Sequence, residues 1–439
     1  GEEKAERLLS TPTEDDQAIR DIFHSTDGLE VKVKTRLVSN LPPALNIACR
    51  MLLLPIIYFF SQYPIEFDMV AGLDMGSCHF EQSTNQIFHE GFDETTGEHC
   101  VFDADVSAWD KIMPSILTRE ILTVFIELVI ALHKMYGTFN PRLLDFAETV
   151  IQWWDKMTLY YKGVLMPISV MPSGFVMTLP MNSAMNQLLA ICNVLNFADK
   201  HKIPRPLSYT DWIRHKALGD DSQTAVKEAL RIACREADIE TYGAVDYAES
   251  NADFGITSTC GNKQDDLDDL RFQDPSELVF LQHVMFYIFI PAYNLKEIEE
   301  DPSRKGATVL VGAAPLKAPV LVKLLAKQDS SSTVDPEHLI RDQVAIILSE
   351  LIPYGKDKFD RFVTAVRAFR HDVWKTEAMT AKYEELLDWN YCLDRYVKKF
   401  CRNGALDPFI VKQQKDNPES FKVLKEKLNP EGIRTLSYE

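Results

Sequence analysis

His215-Lys216-Ala217-Leu218-Gly219-Asp220-Asp221-Ser222-Gln223-Thr224-Ala225-Val226 is the stretch that decides the fold. His215 to Leu218 reads as a short strand, and Gln223 to Val226 can return as its partner. The stretch therefore predicts a β-hairpin with two carboxylates at its tip. Taken alone, such a tip says little about chemistry, because Asp-Asp pairs commonly sit solvated in turns.

Working outward, a second acidic group precedes it at Phe102-Asp103-Ala104-Asp105-Val106-Ser107-Ala108-Trp109-Asp110. Cys100 to Val106 is apolar and β-like. A strand that carries carboxylates into a core is costly unless a cation or donors satisfy them. If the two strands lie side by side, Asp105 and Asp220 can share a pair of metal ions. Two magnesium ions about 3.5–4 Å apart can clamp an in-line displacement at phosphorus. Hard oxygen ligands suit magnesium, and a triphosphate supplies more of them. Phosphoryl transfer needs mainly positioning and charge neutralisation, which carboxylates and metals provide.

The remaining pattern is mixed α and β first and mainly helical later. Val31 to Val38 alternates as a strand does, and Pro42-Pro43 precedes an apolar helical stretch to about Tyr58. Ser115–Met135 reads as a long helix, Trp153–Val170 as strands, and Pro172-Ser173-Gly174 as a turn. Helices are expected over Asn182–Lys200 and Lys227–Ile239, and a strand over Val279–Ile290. Beyond Pro291 helices are expected at Lys317–Gln328, Pro336–Leu351, Lys358–Arg370 and Ala378–Cys392. The longest apolar run, Met51 to Phe60 with Pro55 inside, is too short for a bilayer and reads as a buried element, so no transmembrane segment is expected.

The net charge of −18 argues against a protein that binds nucleic acid through a generally basic surface. It is compatible with an internal basic channel. The eight cysteines form no CxxC pair and fit a reduced intracellular protein. Cys78-His79, His89 and His99-Cys100 have residue types that bind zinc, but their loose spacing reads as unrelated core and surface positions. Asp103 reads as an exposed neighbour of Asp105, and Trp109 as a packing residue.

Read together, these motifs resemble the palm of RNA-dependent RNA polymerases of positive-strand RNA viruses, of the picornavirus-like (Picornavirales-type) group. The family's two aspartates in one motif match Asp105 and Asp110, and its Ser-Gly…Thr…Asn motif matches Ser173-Gly174, Thr178 and Asn182. Its Gly-Asp-Asp matches Gly219-Asp220-Asp221, and its fourth palm motif resembles Asp253-Phe254-Gly255-Ile256-Thr257-Ser258-Thr259 through Lys263. Lys34-Thr35-Arg36-Leu37-Val38, followed by Arg50-Met51, resembles the fingertip motif, and Phe280-Leu281 the start of the primer grip. The motifs stand in the family's order across roughly residues 31–290.

The resemblance implies an α+β right-hand polymerase with an antiparallel-sheet palm backed by helices, partial fingers and a helical thumb. Its implied parts are a fingers and fingertip segment at 1–52, apparently incomplete, and a first palm part at 53–144. A fingers insertion at 145–170, a second palm part at 171–290 and the thumb at 291–439 follow. Asp105, Asp220 and Asp221 are implied metal ligands and catalytic residues, and Lys263 the general acid for pyrophosphate. Lys34 and Arg36, with Lys32, are implied to hold the triphosphate. Asp110 and Asn182, helped by Ser173 and Thr178, are implied to read the ribose 2′-hydroxyl, which penalises deoxynucleotides. Gly174 and Gly219 are implied to lie near the RNA, where Gly174 lets its loop flex.

The implied cofactors are two Mg2+ ions, with Mn2+ as a substitute. Implied partners are an RNA template, a primer or product strand, ribonucleoside triphosphates, a small protein primer and other viral replication proteins. The implied location is the host cytoplasm, at membrane-associated replication complexes reached through partners. The chain departs from the family pattern at Met177, Leu218 and Gln282-His283. Rival readings are a double-stranded RNA virus polymerase of partitivirus or picobirnavirus kind, a reverse transcriptase, and a non-catalytic RNA-binding relative. Asp110 with Asn182 disfavours a reverse transcriptase, which would carry a bulky gate residue. The intact acids and Lys263 disfavour a non-catalytic role.

Overall fold

The computed structural model describes residues 43–70, 72–73, 77–106, 109, 115–161, 164–167, 171–172, 175–259, 271–317, 320–321, 324, 336–373, 384–400 and 408–439. Contacts group them into two units. One lies within Thr35–Leu73 and Ser83–Leu281, the other within Asp74–Gln82 and Gln282–Glu439.

The first unit is built on a four-stranded sheet. Its strands are β3 (Val101–Val106), β6 (Ile213–Leu218), β7 (Asp221–Val226) and β8 (Ser258–Thr259), in the spatial order β6-β7-β3-β8. All pairs are antiparallel. Earlier in the chain, β1 (Phe92–Asp93) and β2 (Glu98–His99) form a short hairpin after helix α2 (Cys78–Gly91). All six residues of β3 are buried, as expected of a strand covered on both faces.

Helices α5 (Thr178–His201), α6 (Glu228–Glu236) and α7 (Ala244–Asp253) back one face of this sheet. Phe102 points to that side, with its ring centroid 6.4 Å from Tyr242 and 5.8 Å from Tyr247. A second core joins α5 to α1 (Pro43–Gln62), α3 (Ser115–Met135) and α4 (Arg142–Asp155). There Phe60 of α1 meets Phe125 of α3 at 5.3 Å. Arg214 Nε on β6 pairs with Asp68 Oδ1 at 3.0 Å, and its Nη1 with Glu90 Oε1 at 2.6 Å. Glu90 is also paired with Lys227.

Several local expectations change. Trp153 and Trp154 belong to α4, and strands β4 (Thr158–Tyr161) and β5 (Val164–Pro167) begin only after it. Ala147, Val150 and Trp154 are buried at helical spacing, which outweighs the aromatic preference for strand. The apolar run around Met51 is part of a helix of 20 residues, because Pro43 to Arg50 extends it and Pro55 is kept inside. That helix is long and apolar enough to cross a membrane by length and composition, and only 28% of its most apolar window is buried. Ile47, Met51, Leu54 and Tyr58 form an exposed stripe along it while Cys49, Leu52, Leu53, Ile56 and Phe60 face the core, so the element is buried, as the sequence suggests, along one face only.

The second unit has its own sheet of β9 (Phe286–Pro291), β10 (Thr308–Ala313) and β11 (Arg434–Thr435), in the order β10-β9-β11. The expected strand from Val279 starts only at Phe286, because Leu281 and Gln282 take φ values of 55° and 65° and turn the chain. β11 runs parallel to β9, with Arg434 opposite Ile288. Around this sheet pack α9 (Pro336–Leu351), α10 (Lys356–Val373) and α11 (Trp389–Phe400). The short α8 (Leu295–Glu300) precedes them, and α12 (Pro408–Asp416) and α13 (Pro418–Leu428) complete the unit. Its core includes Ile288, Val311, Phe359 and Leu393. Glu81, with no exposed surface, accepts the Gly312 N–H at Oε2 over 2.7 Å.

Candidate active site

β6 and β7 close on the pair Leu218 and Asp221, leaving Gly219-Asp220 as a two-residue turn. Gly219 takes φ +66° and Asp220 does not share that region, a pattern that asks for glycine at the first turn position. On the other side, β7 pairs with β3 as far as Ala104 and Ser222. Continuing this register by one residue sets Asp105 opposite Asp221. Opposed residues of an antiparallel pair share a face, so the two carboxylates leave the sheet on the same side. Asp105 is 8% exposed and pairs with Thr259 on β8. The sheet thus gathers Asp105, Asp220 and Asp221 at one end.

The same face carries Asp103, Gln223 and Lys216 in one row. Asp103 is not the exposed neighbour that the sequence suggests. It is 2% exposed, and its Oδ2 accepts the Val279 N–H at 3.2 Å. Its own N–H donates to Gln273 Oε1 at 3.0 Å. Alternation along β3 puts it on the buried side with Asp105, and a loop covers it. Lys216 has no exposed surface and sets its ammonium 4.6 Å from the Phe280 ring centroid. Burial pushes its pKa down to about 7, against the pull of Asp68.

The opposite face meets α5. Asn186 Nδ2 donates to Gly219 O at 3.1 Å and to Asp220 O at 3.2 Å. Ser183 Oγ accepts the Gly219 N–H at 3.0 Å. His215 Nε2 lies 3.1 Å from Asn186 Oδ1, and its Nδ1 lies 2.8 Å from Thr224 Oγ1. Asn193 on α5 donates to Asn251 on α7 at 2.6 Å, and Asn251 donates to Ser258 on β8 at 2.7 Å. A polar stripe of one helix therefore touches the acidic turn directly and, through Asn251, the strand beside Asp105.

The sequence profile of the family described as viral RNA-dependent RNA polymerase matches residues 25–286, more than half of the chain and all of this site. The chain belongs to that family. A solved structure with a similar fold is the Sicinivirus 3Dpol RNA-dependent RNA polymerase, with a TM-score of 0.51 and 14% identity. The match covers 89% of this chain and 64% of that one, so the chain spans less than two thirds of its length. No curated protein sequence matches. The sheet and its helices accordingly match the palm of the family's right-hand fold, and the fold is similar to that of the Sicinivirus polymerase.

Within this palm, Asn182 stands on α5 one residue before Ser183. It is 8% exposed, and its Oδ1 is buried without a hydrogen-bond partner. Thr178 Oγ1 lies 2.7 Å from both Pro172 O and Phe175 O, so its hydroxyl braces the loop leading into α5. Lys34, Arg36, Asp110, Ser173, Gly174 and Lys263 lie outside the described residues. Trp109 packs in the core at 3% exposure. His99 packs against the rings of Phe88 and Phe92 at 5.5 and 5.1 Å.

Among the described residues no three His, Cys, Asp or Glu side chains come together closely enough to hold an ion by themselves. The donors gathered at the turn are nonetheless hard carboxylate oxygens, of the type magnesium prefers. Magnesium is commonly held by one or two carboxylates, completed by water and substrate phosphates. The set fits that mode of binding better than a closed protein cage.

The sequence pointed to the acids and to Asn182, but not to Ser183, Asn186 or His215. A signal was present, since Asn182, Asn186 and Asn193 recur at helical spacing on the buried face of an otherwise apolar helix.

Proposed function

We propose that this chain is a viral RNA-directed RNA polymerase. It transfers a ribonucleotide, directed by an RNA template, to an RNA 3′-hydroxyl and releases pyrophosphate. The observation that carries this reading is the buried, unpartnered Oδ1 of Asn182 beside the acidic turn. A buried acceptor without a donor is costly, and a ribose 2′-hydroxyl can supply the donor. A deoxyribose leaves it unpaired, which gives the site its discrimination.

Asp105 and Asp220, with Asp221 beside them, would hold two magnesium ions that neutralise the triphosphate and activate the 3′-hydroxyl. The position of Asp105 on one strand and of Asp220 and Asp221 at the turn of the neighbouring hairpin supports their acting on the same ions. Asp110 joins Asn182 at the sugar, Lys34 and Arg36 hold the phosphates, and Lys263 protonates the leaving group. RNA, nucleotides and a small protein primer are the partners, and a membrane-associated replication complex the location.

The test is incorporation of labelled nucleotide on an RNA template with magnesium. Asp220→Asn is expected to lower the rate at least about 100-fold, as loss of a metal-holding charge should. Equal rates in the two proteins overturn the proposal. Asn182→Ala is expected to lower ribose over deoxyribose preference by about 10-fold or more, because the discriminating acceptor is gone.

A further inference from the structure

The Gly219 N–H and the Gly219 and Asp220 carbonyls of the turn find their partners on α5. The Gly219 N–H reaches Ser183 Oγ at 3.0 Å, and Ser183 passes a hydrogen bond on to Leu179 O at 2.9 Å. The Gly219 and Asp220 carbonyls converge on Asn186 Nδ2 at 3.1 and 3.2 Å. Ser183 and Asn186 have no exposed surface. Two carbonyls can only accept, so they fix which way the Asn186 amide faces. Its Oδ1 must then accept, and it does so from His215 Nε2–H at 3.1 Å and from the Tyr247 hydroxyl at 3.3 Å. His215 is held in that tautomer by Thr224 Oγ1, whose hydroxyl donates to Nδ1 across 2.8 Å. Its ring also stacks on Tyr247 at 6.3 Å between centroids.

We infer that Asn186, oriented by His215 and Tyr247, is a positioning residue that sets the direction of the Asp220 carboxylate. This rests on the polymerase reading above. Tying consecutive carbonyls to one amide fixes both peptide planes of a two-residue turn, and these planes determine where the Asp220 side chain leaves. Ser183 fixes the plane before them. The turn has only Gly219 and Asp220 at its tip, and glycine offers no stiffness of its own. Without the amide, the carboxylate would sample directions that a reaction tolerant of about 1 Å misplacement at 100-fold cost cannot use.

The test uses the full-length polymerase. Asn186→Asp keeps the shape of the side chain but sets a carboxylate oxygen against two carbonyls. It is expected to lower kcat about 100-fold with nucleotide KM within about threefold, and to raise the magnesium concentration for half-maximal rate. Hydrogen exchange of the segment 217–222 is expected to speed up at least about tenfold while the palm core is unchanged. His215→Leu removes the orienting donor and should cost about tenfold in kcat. His215→Gln retains a donor near the Nε2 position and should recover most of that loss.

Wild-type kcat and wild-type exchange of the turn in Asn186→Asp overturn the inference. So does a rate loss that only follows the folded fraction, with His215→Gln no better than His215→Leu. A wild-type protein that incorporates no nucleotide would instead defeat the polymerase reading. The exchange of the turn would then still decide whether Asn186 holds it.

Discussion

His215 and Lys216 are adjacent on β6 and sit on opposite faces, both nearly or fully buried. Burial pushes the His215 imidazole down to about 3 from an ordinary 6.5. Between those values the unfolded chain binds a proton that the folded chain refuses. Stability is therefore lost as pH falls below about 6.5, at a slope of about 1.4 kcal/mol per pH unit. Above that range the residue adds no pH dependence. His215→Gln should flatten the fall in Tm between pH 7 and pH 5, and equal slopes in the two proteins would contradict the assignment. In sequence, His215 is legible only as a strand residue. Asn186 lies in another element, and nothing local announces the pairing.

At the scale of elements, α5 is unusual for what it buries. Its apolar residues were enough to predict a helix, and Thr178–His201 contains the expected span. Its polar stripe could not be assigned, because a buried asparagine is explained only by its partner. The hairpin was more legible, since its alternation and turn are local. β10 was missed although it is six residues long and pairs with β9 along its whole length. Within it, Gly312 is set by contact. An added Cβ would lie 2.6 Å from Met285 Cε and 2.7 Å from Glu81 Cγ. Glu81 is tied to the Gly312 N–H and gives way poorly. Gly312→Ala should cost about 1–3 kcal/mol, read from the urea midpoint at constant m-value. An unchanged midpoint would show that Glu81 swings aside freely.

Across the whole chain, legibility follows the separation of contacting residues. The acidic end of the palm was readable because its carboxylates lie near a strand end or in the hairpin turn, both of which are local features. The register that sets Asp105 opposite Asp221 was not legible, because the sequence reading faced Asp105 with Asp220 and motif order alone sets no register. The sheet of the second unit joins β9 to β11, where Tyr287 N donates to Asn429 Oδ1 at 3.0 Å across a long stretch of sequence. No periodicity reports such a parallel pairing. The charge of −18 belongs to this scale too. It opposes a polyanion at long range, so on the proposed polymerase reading an RNA would have to be held by basic side chains gathered locally rather than by the field of the molecule.

The turn at Gly219 has an evolutionary consequence. A Cβ there would meet only Leu179 Cδ1, at an ordinary 3.7 Å. Space does not defend the glycine; only the left-handed backbone does, at about 1–2 kcal/mol for an L-residue. Asparagine and aspartate accept a positive φ more readily than other side chains. Saturation mutagenesis at this codon should therefore recover a graded series, with asparagine and aspartate above alanine and alanine above valine. On the proposed polymerase reading, the motif would then be open to drift at its first letter and closed at the two that follow.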